Sequence, residues 1–435
     1  MPDGSLVDHP TLLAAGRSGD DIAVMPVGSL PMPAGATVSR LPGQRPVGID
    51  PTSGEPVVLR EVEIKGRRFR PDAVAAVLPP GYTRTLLPAS HRTPLAPLLP
   101  QWAYTGVAWD EEAGLVAQAL HTDPRSHWDP ETHSTQELPA LVEARRQESE
   151  LLRQLATCAL EYRCFTAQNI FYGRDEGAIP ASAGCNARCV GCISEQLEGE
   201  GTASHERMRS PSSAEDMAAL GAQHLAHARE SAPGRAMISF GQGCEGEPLT
   251  RAHHIARAIR LLRAQTSRGS ININTNGSRP KAMQLLVDAG LDACRISLNS
   301  ARRELYEAYY RPVDYGWAEV RETLRIARDG GLYIALNLLT FPGITDRAGE
   351  VDALEELIAE FGVHQVQTRN LALDPEQYLA VARQHAHGTP AVGIAAMVRR
   401  LRHSRPGVVV GNYARGLKER PGWAPPRHTV QTAPG

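Results

Sequence analysis

After Ile179 the chain alternates short apolar runs with helical segments, and few architectures accept that alternation. Residues 236–240, 270–275, 293–298, 332–339 and 364–368 read as strands. Between them, residues 249–264, 281–289, 317–329 and 350–361 carry apolar side chains at helical spacing. Repeated βα units of this length imply a parallel sheet with helices outside, either a barrel or a doubly wound sheet. The rest of the chain reads differently. Residues 1–134 are rich in proline and glycine, with short apolar stretches between turns. Val62 and Ile64 alternate with Glu61, Glu63 and Lys65 up to Gly66, and residues 102–109 and 115–120 flank a hairpin turn at Asp110 to Gly114. This is the pattern of a small, mostly β domain. Over 135–176, Leu141, Ala144, Leu151, Leu155, Ala159 and Tyr162 recur at helical spacing, as in one amphipathic connector helix. Residues 373–435 read as a helical extension with a poorly ordered tail over the last 15 residues, which hold Pro421, Pro425, Pro426 and Pro434.

Composition narrows the function classes. With 435 residues, a net charge of -2, 42% hydrophobic and 22% charged residues, the chain is able to build two or three cores and is not a disordered protein. The cations are almost all arginine, with Lys65, Lys281 and Lys418 the only lysines, and they are balanced by acids. That balance makes nucleic acid an unlikely partner, because a nucleic-acid footprint needs a basic excess on one face. No apolar run of about 18 residues occurs, and Met1 to Pro10 lack the pattern of a secretory signal, so the expected address is the cytoplasm, away from any membrane. Seven unevenly spaced cysteines do not make a disulfide framework.

Three of those cysteines fall in Ala183-Gly184-Cys185-Asn186-Ala187-Arg188-Cys189-Val190-Gly191-Cys192, a C-x3-C-x2-C loop. Three thiolates this close are able to hold three irons of a four-iron cluster and leave the fourth iron open to a chelating ligand. A zinc site completed by His205 uses the same residue types. Further on, Gly241-Gln242-Gly243-Cys244-Glu245-Gly246 imitates a dinucleotide loop. The carboxylate that a dinucleotide site places about 20 residues later is missing from 267–274. Read two residues later, the stretch is Glu245-Gly246-Glu247-Pro248-Leu249, which also suits a helix start with proline in its first turn. The third and fourth strands end in Asn274-Thr275-Asn276-Gly277-Ser278 and Ser297-Leu298-Asn299-Ser300. Ser297 and Asn299 share one strand face, and Asn276 equally suits a turn before Gly277.

Taken in this order, the cysteine loop, the Glu-Pro loop, the Asn-Gly turn and the Ser-Leu-Asn strand resemble the core of the radical S-adenosylmethionine (SAM) superfamily. The resemblance covers about 177–372 and implies an α/β fold: a partial (βα)6 TIM-like barrel, here with an N-terminal mostly β domain and a helical connector. It implies a [4Fe-4S] cluster on Cys185, Cys189 and Cys192, with SAM on the open iron. Reductive cleavage of SAM then gives a 5′-deoxyadenosyl radical that abstracts hydrogen from a substrate, a peptide side chain or a small metabolite. By the same match, Gly246 lets the backbone approach SAM and Glu247 accepts hydrogen bonds from its methionyl ammonium. Asn276, Ser297 and Asn299 lie beside its ribose and methionine, and Arg311 stands near its carboxylate or is a surface arginine. Asn337, Arg369 and Asn370 would face the mouth. The implied partner is a flavodoxin- or ferredoxin-like electron donor. Two residues depart from the family pattern: Gly191 replaces an aromatic residue, and Glu245 replaces the first glycine of a Gly-Gly-Glu-Pro motif. The rival from another class is a zinc-stabilised binding protein without turnover. Of the other cysteines, Cys158 and Cys164 are unable to share a metal on one unbroken helix, Cys244 adjoins the Glu-Pro loop, and Cys294 reads as strand core. His253 and His254 read as helix surface.

Overall fold

A computed structural model describes residues 5–26, 29–64, 66–125, 128–231, 234–242 and 244–424. Its centre is one parallel sheet of seven strands in chain order: β1 (Glu176–Ile179), β2 (Met237–Phe240), β3 (Ser270–Thr275), β4 (Ala293–Leu298), β5 (Tyr333–Thr340), β6 (Gln365–Asn370) and β7 (Val409–Gly411). β1 and β7 do not pair with each other, so the barrel is partial. The helices of eight residues or more are α1 (Leu138–Arg145), α2 (Glu150–Leu160), α3 (Phe165–Tyr172), α4 (Ala214–Ser231), α5 (Ala252–Gln265), α6 (Pro280–Ala289), α7 (Arg303–Tyr310), α8 (Trp317–Asp329), α9 (Ala348–Phe361), α10 (Pro375–His385) and α11 (Ile394–His403). β3, β4 and α8 coincide with their expected ranges. β5 and β6 run on to Thr340 and Asn370, and the three-residue β7 is too short for a sequence pattern to reveal.

Strand parity divides the work. Ile238, Phe240, Ile271, Ile273, Cys294, Ile296, Leu298, Ile334, Leu336, Leu338 and Val366 are all buried in the main apolar core. The register puts the alternate residues together on the other face: Asn274 beside Arg295, Ser297 beside Asn337 and Gln367, Leu339 beside Arg369. That face is polar. Its one buried carboxylate, Glu176, accepts Ser239 Oγ at 2.5 Å, Gln242 Nε2 at 2.9 Å and Arg295 Nη2 at 3.0 Å.

The connector is three helices rather than one. Ser149 caps α2 by accepting Leu152 N–H at 3.1 Å, which ends the α1 run, and Arg163 at φ 52° turns the chain between α2 and α3. These helices belong to the core: Leu151, Leu152, Leu155, Ala156, Cys158 and Ala159 pack into the same apolar cluster as the sheet. The start of the expected tail is also held. Arg420 lies 4.4 Å from the Tyr333 ring and 4.8 Å from the Trp423 ring, and Trp423 Nε1 donates to Gly331 O at 3.0 Å. Pro425, Pro426 and Pro434 lie outside the described residues. No helix among the described residues is long and apolar enough to cross a membrane.

The front domain consists of short antiparallel sheets, including the expected hairpin Val107–Asp110 with Gly114–Ala117. Val62–Ile64 pairs with Arg67–Phe69 around Gly66; Lys65 lies outside the described residues. The domain is seated on the C-terminal end of the sheet. Arg84 is fully buried, with Nη1 on Tyr104 O, Nη2 on Leu371 O and its guanidinium 5.2 Å from the Phe341 ring. Burial lowers it to about 9. Arg92 pairs with Asp374 at 2.8 Å, and Gly19 N donates to Pro342 O at 2.9 Å. At that last contact a Cβ on Gly343, itself at φ +82°, would fall 2.0 Å from Gly19 N. Gly343→Ala is therefore expected to cost roughly 2–4 kcal/mol, combining backbone strain with a clash. Gly362→Ala, at φ +64° with open space around it, carries the strain alone and should cost about 1 kcal/mol. Urea midpoints of the two variants measure the difference, and equal losses would remove the contact's role.

Candidate functional site

β1 and β2 end side by side, and one side chain ties the loops that follow them. Glu245 Oε2 accepts the N–H groups of Ala181 and Ser182 at 2.8 Å each, and Oε1 accepts those of Gly241 at 2.7 Å and Gln242 at 3.1 Å. Burial raises this carboxyl to about 8 against the pull of the four donors. Two backbone bonds continue the knot, Gly246 N to Ser182 O at 2.7 Å and Glu247 N to Gly184 O at 2.8 Å. A Cβ on residue 246 would lie 2.0 Å from Gly184 O, so only glycine fits there. Gly243 lies outside the described residues.

The cysteine loop is clasped from the other side by the end of α7. Arg188 N donates to Tyr310 O at 3.1 Å and Val190 N to Tyr309 O at 3.0 Å. Cys185 is exposed, while Cys189 and Cys192 are half-buried. Arg207 Nη2 donates to Cys192 Sγ at 3.6 Å, and Ser194 Oγ lies 3.7 Å from the same sulfur. Although Cys185 keeps residue surface, desolvation of its thiol and then the Glu247 charge push it up to about 11, and burial, then Cys192 and Cys185, raise Cys189 well above its ordinary range. Cys185 and Cys189 resist ionisation on their own, and a bound cationic group would hold them as thiolates. No three His, Cys, Asp or Glu side chains among the described residues are arranged around a single ion. Three cysteine sulfurs on one short loop are the donor type that an iron–sulfur cluster takes. His205 is engaged elsewhere, with Nδ1 2.7 Å from Ser204 Oγ and its ring 4.2 Å from that of Tyr162. The space a side chain at 191 would fill is taken by α7, for a Cβ there would meet the Tyr309 hydroxyl at 2.8 Å.

The remaining expected residues divide. Glu247 is buried; Oε1 accepts Leu249 N at 2.9 Å and the Thr275 hydroxyl, and Oε2 accepts Asn276 N at 2.8 Å. Burial raises it to about 7. It thus caps the turn before α5 and joins the Glu-Pro loop to the end of β3. Asn276 is both a turn residue and a contact: Oδ1 accepts Ser278 N at 2.9 Å, while Nδ2 donates to Asn186 Oδ1 of the cysteine loop at 3.1 Å. Ser297 lies on the polar face and keeps accessible surface. Asn299 does not join it. Past the end of β4 its Nδ2 turns to Leu305 O at 3.2 Å and Tyr378 OH at 3.3 Å, fully buried, so the shared strand face does not extend that far. Arg311, at φ 46°, places Nη1 2.5 Å from Glu200 Oε1, so a loop carboxylate takes its charge.

Other participants carried no sequence signal. Gln101 reaches from the front domain to donate to Cys192 O at 3.1 Å and accept Ser204 N at 3.0 Å. Cys158 lies within hydrogen-bonding reach of Cys244, with Cys164 close by, because the chain break after α2 lets the latter turn back. Cys294 is fully buried, and His253 and His254 are on the surface.

Comparison with known proteins gives the same result for the sheet and its loops. The family model described as Radical SAM superfamily matches residues 179–355. No curated protein matches the chain. Among solved structures, Streptococcus suis SuiB bound to precursor peptide SuiA is similar at 14% identity and TM-score 0.34, over 51% of this chain and 43% of that one. A radical SAM methyltransferase from Sphaerobacter thermophilus is similar at 18% identity and TM-score 0.35, over 50% and 65%. Methylornithine synthase (PylB) is similar at 12% identity and TM-score 0.35, over 64% and 81%. The chain thus spans less than two thirds of the length of SuiB and of the methyltransferase. The match to the radical SAM superfamily model runs from the end of β1, through the cysteine loop, into α9.

Proposed function

We propose that this protein is a radical SAM enzyme, holding a [4Fe-4S] cluster on Cys185, Cys189 and Cys192 and taking an electron from a flavodoxin- or ferredoxin-like donor. The observation that carries the reading is the knot between the cysteine loop and the Glu-Pro loop, which brings Gly246 against Gly184 O. When bound, the cluster and SAM supply one-electron cleavage to methionine and a 5′-deoxyadenosyl radical. This chain's part is position and shielding. Arg207 and Ser194 provide hydrogen-bond donors at Cys192, a device that tunes cluster sulfurs. Glu247, Asn276 and Ser297 gather around the mouth where SAM is to be held; Glu247 has an oxygen with a single partner to offer its methionyl nitrogen. Asn299 and Arg311 support the surrounding loops through Tyr378 and Glu200. The front domain, residues 1–134 in this reading, closes one side of the mouth and touches the cluster loop through Gln101.

Anaerobic reconstitution should yield iron and sulfide, and dithionite with SAM should then release 5′-deoxyadenosine and methionine. Cys185→Ala, Cys189→Ala and Cys192→Ala are each expected to lower that release at least about a thousandfold, since a cluster short of a ligand is lost. A protein that binds one zinc and leaves SAM intact would overturn the assignment. Glu247→Gln keeps the size of the side chain and removes its charge, so SAM binding by the reconstituted protein should weaken by roughly tenfold, the scale of one charge-assisted hydrogen bond. Equilibrium dialysis with labelled SAM measures this, and an unchanged affinity would confine Glu247 to capping.

A further inference from the structure

Within β3 to β6 almost every residue is buried, and the exceptions follow a rule. Asn274, Ser297, Asn337, Leu339 and Arg369 keep accessible surface on the inward face, and Asn370, the last residue of β6, is the outward-facing exception. The inward positions of four adjacent strands therefore border accessible space on the inner face of the sheet, termed the chamber. Its charges do not cancel. Arg295 is taken by Glu176 at 3.0 Å. Arg369 spends Nε on Asn337 Oδ1 at 3.3 Å and Nη2 on Gln367 Oε1 at 3.1 Å, both neutral amides. No carboxylate among the described residues pairs with it. Two further donors beside it have no hydrogen-bond partner: Gln367 Nε2 and Arg295 Nε, in residues that are 0% and 6% exposed. Buried polar groups are normally satisfied, and an unmet one costs about 1–3 kcal/mol. All of these unmet groups are donors, so the missing partner is an acceptor, and the uncompensated cation makes it a negative one.

Resting on the radical SAM reading, we propose that this chamber receives an anionic group of the substrate, a carboxylate or a phosphate, with Arg369 as its counter-charge and Asn337, Asn274 and Ser297 as its polar walls. A guanidinium suits either group because it offers parallel N–H donors to paired oxygens. The substrate is then an acid held by its charged end, with the carbon to be attacked directed towards the cysteine loop. Burial lowers Arg369 to about 10, so it remains charged at neutral pH.

The test uses anaerobically reconstituted protein and two probes, inorganic phosphate and acetate, each titrated against chloride at equal ionic strength while the melting temperature is followed. A ligand that binds the folded state raises the melting temperature by mass action. The wild type is expected to be stabilised by at least one of the probes, with and without saturating SAM. Arg369→Gln should need at least tenfold more anion for the same shift. Arg369→Lys keeps the charge but loses the fork and should need roughly threefold to tenfold more. Arg321→Gln, which alters an exposed pair with Glu360 on the outer helices, should titrate as the wild type does. The proposal is overturned if neither anion stabilises more than chloride, or if Arg369→Gln or Arg369→Lys titrates like the wild type. It is also overturned if SAM abolishes the shift, because the anion would then have occupied the place of the SAM carboxylate. Absence of 5′-deoxyadenosine from the wild type would sink the enzyme reading instead, and that assay is read separately from the anion titration.

Discussion

The four backbone N–H groups gathered on Glu245 are the constraint from which the rest of the site follows. They hold the chain leaving β1 and the chain leaving β2 in one fixed relation, and the cysteine loop is the continuation of the first. A glycine at 245 would leave those donors to water or to a ligand. A carboxylate with two acceptors on each oxygen satisfies them internally, and the close approach of Gly246 to Gly184 O becomes possible only once they are satisfied. The same four donors explain why a carboxyl raised by burial is tolerated here, since every lobe of its charge faces an N–H.

Much of the sheet was legible because its outward positions obey a strict period of two. Ile271, Ile273, Cys294, Ile296, Leu336 and Leu338 form a pattern that burial alone imposes, so β3 and β4 fall where the pattern places them. β7 was not legible, for three residues do not make a period. The connector misled for a related reason. Leu141 and Leu151 keep helical spacing across Ser149, and apolar periodicity does not register that a serine side chain has capped a new helix.

Site residues were legible where chemistry demands a residue type at a fixed spacing, as in the cysteine loop. They were not where the demand is met through space. Tyr309 fills the space beside Gly191 from more than a hundred residues away, and Gln101 reaches Cys192 from the N-terminal strand-rich region. Arg311 and Asn299 show the converse. Each carries a residue type suited to ligand contact, yet Glu200 takes Arg311 Nη1, and Leu305 O and Tyr378 take Asn299 Nδ2. A sequence names the functional group; the partner it spends that group on is decided by tertiary packing.

The end of β6 shows how a period of two joins the site to the domain in front of it. Arg369 and Asn370 are neighbours and so face opposite ways. Arg369 enters the chamber, where it binds Asn337 and Gln367. Asn370 turns outwards, accepting Arg84 N at 2.9 Å and donating to Tyr82 O at 2.9 Å, so it pairs with the front domain as a strand would. Arg84 then buries its side chain between Tyr104 O, Leu371 O and the ring of Phe341. A buried guanidinium with only carbonyl partners is stable in this position only while both domains surround it. The same short stretch of β6 therefore fixes the chamber's cation from within and the front domain from without. A shift of the N-terminal strand-rich region along β6 would be felt at Arg369 through one peptide unit.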